Sequence, residues 1–98
     1  MTVFAPTDQA FAALPAGTVD SLLADKAMLT KVLTNHVIDG EVDASTAIEA
    51  GQATTLAGST VTITDQGGFL YVNGVKILLN DIYTGNGVVH VIDAVLVP

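Results

Sequence analysis

Two hydrophobic periods divide the chain. In the first half apolar residues recur at helical spacing in short runs, and after Gly51 they alternate with polar ones at the two-residue period of a strand. The run TVFAP, residues 2 to 6, reads as a short β segment stopped by Pro6. Thr7 then caps a helix carrying Ala10, Phe11 and Leu14, which Pro15 and Gly17 end. Thr18 caps a second short helix through Leu22 and Leu23, and Asp25 a third, running roughly from Lys26 to Val37. On that third helix Leu29, Val32, Leu33 and His36 follow the i, i+3, i+4, i+7 spacing of one buried stripe, which puts His36 on the core side. Asp39-Gly40 turns the chain. Asp43 caps one more helix, Ala44 to Ala50, closed by Gly51.

The second half reads as strands. In TVTIT, residues 60 to 64, Val61 and Ile63 alternate with threonines, and Asp65 to Gly68 turn the chain. FLYV and VKILL flank Asn73-Gly74, the pair best suited to a type I′ hairpin because both central residues need positive φ. Such a hairpin sets Val72 opposite Val75 and Leu70 opposite Ile77, four side chains on one face. Residues 88 to 97 form a last, valine-rich strand. A strand, then helices, then a run of strands is the pattern of an α+β fold.

Composition sets limits on this picture. The 98 residues are half apolar, enough for one domain with one core and too few for a second. No apolar run approaches the roughly 20 residues of a membrane helix, so membrane insertion is not expected. Ten carboxylates stand against three lysines and no arginine, a net charge of −7. That argues against nucleic acid as a partner, because phosphate binding rests on clustered Lys and Arg. With no cysteine there is no disulfide scaffold, thiolate zinc site or thiol nucleophile. No secretion signal is present in the chain.

The candidate chemistry centres on a repeated pattern, H-x-x-D: His36 with Asp39, and His90 with Asp93. With Glu41 and Asp43 nearby, these residues supply enough N and O ligands for a divalent metal, whether for binding or for hydrolysis. The competing reading is structural. His36 lies on an apolar helical stripe and His90 alternates with Val88 and Ile92, which suits hydrogen-bonded core histidines. In a regular strand Asp93 points away from His90. Asp81 and Asp93, set among apolar residues, suit aspartates that accept backbone N–H bonds at a turn or bulge. Ser21, Ser45 and Ser59 occur in no nucleophile motif, and the glycine pairs precede strands instead of opening a phosphate-binding helix.

In order along the chain, TVFAPTDQAF (2 to 11), TNHVIDGEV (34 to 42), NDI (80 to 82) and NGVVHVIDAVLVP (86 to 98) resemble the signature segments of the fasciclin domain. The resemblance covers essentially the whole chain. It implies a compact wedge, a twisted β-sandwich with a cluster of short helices in the N-terminal half, as one domain over residues 1 to 98 that is short of the family's leading helix or helices. It implies a non-enzymatic module for adhesion or recognition, secreted, periplasmic or attached to a cell surface, with a surface or matrix protein or a glycan as partner and no cofactor. The absence of cysteine, arginine and N-x-S/T acceptors suits a bacterial member. Asn35 replaces the usual tyrosine before His36, and Leu79-Asn80 and Tyr83 flank Asp81-Ile82 unlike the animal sequences implicated in integrin binding, so an integrin role is not implied. The expected binding residues are Asn35, Asp39, Glu41, Asp43, Asn80, Asp81, Ile82 and Tyr83. His36, His90 and Asp93 are the expected polar pins. An uncovered apolar patch where leading helices would lie predicts a homodimer.

Overall fold

The computed structural model describes residues 1 to 96, and the end of the expected last strand, Val97, lies outside them. Strand β1 (Thr2–Pro6) opens the fold and helices α1 (Asp8–Ala12), α2 (Thr18–Ala24) and α3 (Lys26–Thr34) follow. Thr7 caps α1 by accepting the Ala10 N–H at 3.0 Å, and Asp25 caps α3 by accepting that of Met28 at 3.2 Å. Thr18 is not a cap. It is the first residue of α2, and Gly17, in the left-handed region at φ 84°, stands before it without a side-chain bond. Next come a two-residue strand β2 (Val37–Ile38) and helix α4 (Ala44–Ala50), then β3 (Gln52–Thr54), β4 (Thr60–Gln66), β5 (Phe69–Val72), β6 (Val75–Thr84) and β7 (Gly87–Ile92). Both Asn73 and Gly74 have positive φ, as the hairpin turn between β5 and β6 demands, and Val72 pairs with Val75.

All seven strands join in one sheet, in the order β2-β1-β7-β6-β5-β4-β3. The expected division into two facing sheets gives way to a single sheet, because the ten-residue β6 pairs with β5 at one end and with β7 along the rest. The sheet closes over its own core: Phe4, Ile38 and Ile92 from one half meet Val61, Ile63 and Val72 from the other. The first and last strands lie side by side and parallel, Thr2 beside Val88 through Pro6 beside Ile92. At Gly87 a Cβ would collide with the Met1 carbonyl, which accepts the Val88 N–H at 3.0 Å, so only glycine admits that close approach.

Alternation on β1 and β7 puts Thr2, Phe4, Val88, His90 and Ile92 inside, and leaves Val3, Ala5, Val89 and Val91 half-buried on the outer face. Two register shifts interrupt β6, between Ile77 and Leu79 and between Leu79 and Ile82. Through them Ile77 still faces the core with Ile92, while Leu79 and Ile82 join the outer face opposite Val91 and Val89. The second shift sets Asn80 and Asp81 against the single residue His90, one residue more than regular pairing, and Asp81 takes φ 59°. β-Bulges of this kind re-aim side chains at the margin of a sheet.

The third helix is shorter than its hydrophobic stripe suggests. It ends at Thr34, so Val32 is buried while Leu33 is 54% exposed. His36 reaches the interior from the turn after the helix and not from its flank.

Candidate functional site

The β6 bulge and the segment leading into α4 are 37 residues apart in sequence but share one hydrogen-bonded bracket. Asp43 caps α4 by accepting the Thr46 N–H at 2.8 Å, and the next N–H, from Ala44, donates to Asp81 Oδ1 at 2.8 Å. His90, inward-facing on β7 and 2% exposed, lies between the two segments. Its Nδ1 accepts the Asp81 N–H at 3.1 Å, and its Nε2 bonds the Val42 carbonyl at 2.9 Å. A ring nitrogen that accepts carries no proton, so the partners assign the neutral Nε2–H tautomer. Thr2 completes the bracket from β1. Its fully buried hydroxyl donates to the Gly40 carbonyl at 2.8 Å and accepts the Val42 N–H at 2.7 Å. The Phe4 ring packs on the imidazole at 5.6 Å.

The outward side of this bracket is acidic and aromatic. Tyr83, 67% exposed, has its phenol held above the ordinary value by slight desolvation at the sheet rim and then by the carboxylates of Asp81, Asp43 and Glu41. Asp43 is held below the usual carboxylate range, first by hydrogen bonds from the Thr46 side chain and backbone, with a smaller contribution from Ser45. Glu41 is exposed, whereas Asp43 and Asp81 are half-buried and engaged with backbone N–H groups.

A second bracket surrounds His36. The Leu96 N–H donates to His36 Nε2 at 2.8 Å and Nδ1 bonds the Val32 carbonyl at 2.7 Å, which assigns the opposite tautomer, Nδ1–H. Burial holds His36 below the usual histidine value, partly offset by the bond to Val32. Asn35 donates to the Leu96 carbonyl at 2.8 Å and accepts from Ser59, whose hydroxyl also bonds that of Thr55 at 2.9 Å.

Two expected roles change. Asn35, expected as a surface binding residue, is 4% exposed with its amide committed inside, because the helix ends one residue earlier and turns the side chain toward the chain end. Asp93, expected as a polar pin, has an exposed side chain. Among the described residues it is held by its backbone N–H, which donates to the Lys76 carbonyl at 3.1 Å, since β7 ends at Ile92. Ile82 takes the outer face of the sheet, apart from Asp81 and Tyr83, and Asp39 and Asn80 are exposed beside the bracket. Thr2, Val42 and Ser59 belong to the brackets without having been singled out. Nothing about a lone threonine beside Met1 marks it as a buried junction.

The metal reading loses its ligands. Both nitrogens of each histidine are taken, and among the described residues no group of three His, Asp or Glu side chains comes together to hold an ion. Ser59 bonds Asn35 and Thr55, and Ser45 bonds Asp43 at 3.3 Å; among the described residues neither is hydrogen-bonded to a histidine. No helix among the described residues is long and apolar enough to cross a membrane.

Comparison with known proteins places this architecture. The family profile described as the Fasciclin domain matches residues 1–98. The chain is 46% identical over 99 residues to protein sll1483 of Synechocystis sp., spanning 99% of this chain and 54% of that protein. It is 41% identical over 97 residues to immunogenic protein MPB70 of Mycobacterium bovis, covering 49% of it, and to the cell surface glycolipoprotein MPB83 of the same species, covering 43%. The chain thus spans about half the length of the curated relatives it matches. In fold it is similar to a FAS1 domain pair from the insect cell adhesion molecule fasciclin I, with TM-score 0.74, 21% identity, and coverage of 99% of this chain and 37% of that one.

Proposed function

The chain belongs to the fasciclin family, and from that premise we propose that it is a non-enzymatic recognition module that binds a protein or glycan partner at a cell surface or in a matrix. One relative is named as a cell surface glycolipoprotein and the similar insect structure as a cell adhesion molecule, which supports a location outside the cytoplasm. The observation that carries the reading is that Glu41 and Asp43, before α4, meet Asp81 and Tyr83 of β6 on one exposed surface. An exposed aromatic beside three carboxylates, two of them held by backbone N–H groups, gives a shaped contact at little ordering cost. Among these residues Asp43 and Asp81 have structural duties, so Glu41 and Tyr83 are the ones to test.

Binding of the purified chain to cell surfaces and matrix extracts should fall at least about tenfold in Tyr83→Ala and Glu41→Lys, changes that remove a central aromatic anchor or reverse a facing charge. Equal binding by the wild type and both folded variants would sink this surface. Turnover of an ester, peptide or glycoside that a single serine or histidine change abolishes would sink the non-enzymatic reading. Self-association is the second part of the proposal. Val3, Ala5, Val89, Val91, Leu79 and Ile82 form an uncharged apolar face that a second copy can match, and sedimentation across concentrations tests it.

A further inference from the structure

The recognition surface is closed by a hydrogen bond that only a neutral histidine can accept. His90 Nδ1 takes the Asp81 N–H at 3.1 Å while Nε2–H donates to the Val42 carbonyl at 2.9 Å, so a proton added to the ring must go to Nδ1. The imidazolium then has N–H groups on both sides. Its bond to Val42 persists and becomes charge-assisted, but the Asp81 N–H meets a second donor in place of an acceptor. The two halves of the bracket therefore respond in opposite ways: residues 42–44 stay anchored and the bulge is pushed off.

Asp81 is also the residue poised to move. Its φ of 59° is one of two positive values among the described non-glycine residues, and the other, Asn73, is in a hairpin turn suited to it. A strained backbone persists where its surroundings hold it, and here two bonds do so: the one to His90, and the one from Ala44 to its own carboxylate. The titratable groups around the ring are Asp81 and Tyr83 on β6, Asp43 at the start of α4, and Glu41 beside Val42. From β1 it meets the Phe4 ring, which does not titrate. Once Nδ1 is protonated, the Asp81 carboxylate has an alternative to the Ala44 N–H in the new ring N–H, which loosens the second bond as well.

We propose that His90 is an acid-operated latch whose protonation releases Asp81, and with it the bulge of residues 80–83, from the Val42–Ala44 segment. The functional consequence, weaker partner binding in acid, rests on the recognition surface proposed above. The latch itself is a structural event and is measurable without a partner.

The test is an NMR pH titration of the intact chain that follows the His90 ring nitrogens together with amide exchange. As the ring takes its proton, the Asp81 and Ala44 amides should lose protection by at least about tenfold after correction for intrinsic exchange, with the ring's own midpoint. The core amides of Val61, Ile63 and Val72 should keep theirs. In His90→Gln, which cannot titrate in this range, the change should vanish, and if that variant does not fold the wild-type titration decides alone. An Asp81 amide that stays protected beside a protonated ring overturns the latch, as does loss of core protection at the same pH. A released bulge with unaltered binding of cell-surface or matrix material would overturn the recognition surface and leave the latch standing.

Discussion

His36 and His90 open the same four-residue pattern, and both end up almost fully buried, yet the fold uses them in mirror fashion. His36 donates from Nδ1 and accepts at Nε2, tying the end of α3 to Leu96, beyond β7. His90 accepts at Nδ1 and donates from Nε2, tying the β6 bulge to the segment before α4. The bonds of the first lie wholly in the interior, whereas those of the second reach a partly exposed rim. A buried histidine whose two nitrogens meet backbone groups acts as a rigid spacer, and which tautomer it adopts depends on which neighbour offers an N–H. The aspartates three residues on, Asp39 and Asp93, take no part in either bracket; both side chains are exposed.

The largest effect should come from the interior site. His36→Ala strands the buried Leu96 N–H and leaves a cavity, and should cost about 2 to 4 kcal/mol in denaturant unfolding. His90→Ala should cost less, about 1 to 3 kcal/mol, because the Asp81 N–H it leaves can turn toward water. The reverse order would break the comparison. Asn35→Ala comes next at about 1 to 2 kcal/mol, since it removes one bond to Leu96 and one to Ser59.

The two histidines also differ in how pH reaches them. Burial holds His36 below its ordinary value, so the unfolded chain takes the proton more readily than the folded one. The stability contributed by neutral His36 is therefore complete above about pH 6.5 and is lost as pH falls through that value toward the folded one. The denaturant midpoint should decline over that window, and His36→Gln should flatten the decline. At neutral pH the imidazole nitrogen shifts should report Nδ1–H at His36 and Nε2–H at His90; the same tautomer at both would remove the contrast. The smallest effect is Asp93→Ala, expected to stay within about 0.5 kcal/mol of wild type, as ordinary exposed positions do.

Much of the local structure was legible. Thr7, Asp25 and Asp43 cap the helices expected of them, Gly51 closes α4, and Asn73-Gly74 turns the hairpin, because each is decided by a side chain bonding its own neighbourhood or by an allowed φ. The burial of Val61 and Ile63 followed from alternation, and that of Val72 and Ile77 from the pairing of the hairpin. Asn35 and Asp93 were misjudged because their fates depend on where an element stops, and element ends answer to partners far away in the chain. The bulge at Asp81 was legible in an aspartate set among apolar residues, but the slip between Ile77 and Leu79 was not: VKILLNDIYT contains no glycine or proline to mark it, and it exists only relative to β7.

The α+β order, the caps and turns, the apolar alternation of the strands and the family to which the four segments point are all legible along the chain. Each arises from contacts within a few residues or from a pattern of segments along the chain. Only the tertiary structure decided that the first and last strands run side by side, that Asp81 adopts a left-handed backbone, that the two histidines take opposite tautomers, and that Glu41, Asp43, Asp81 and Tyr83 share one surface. The His36 tautomer and the seating of Asp81 depend on backbone N–H groups that arrive from 60 and 37 residues away. A hydrogen bond is specified by both of its ends, and a sequence read locally contains only one of them.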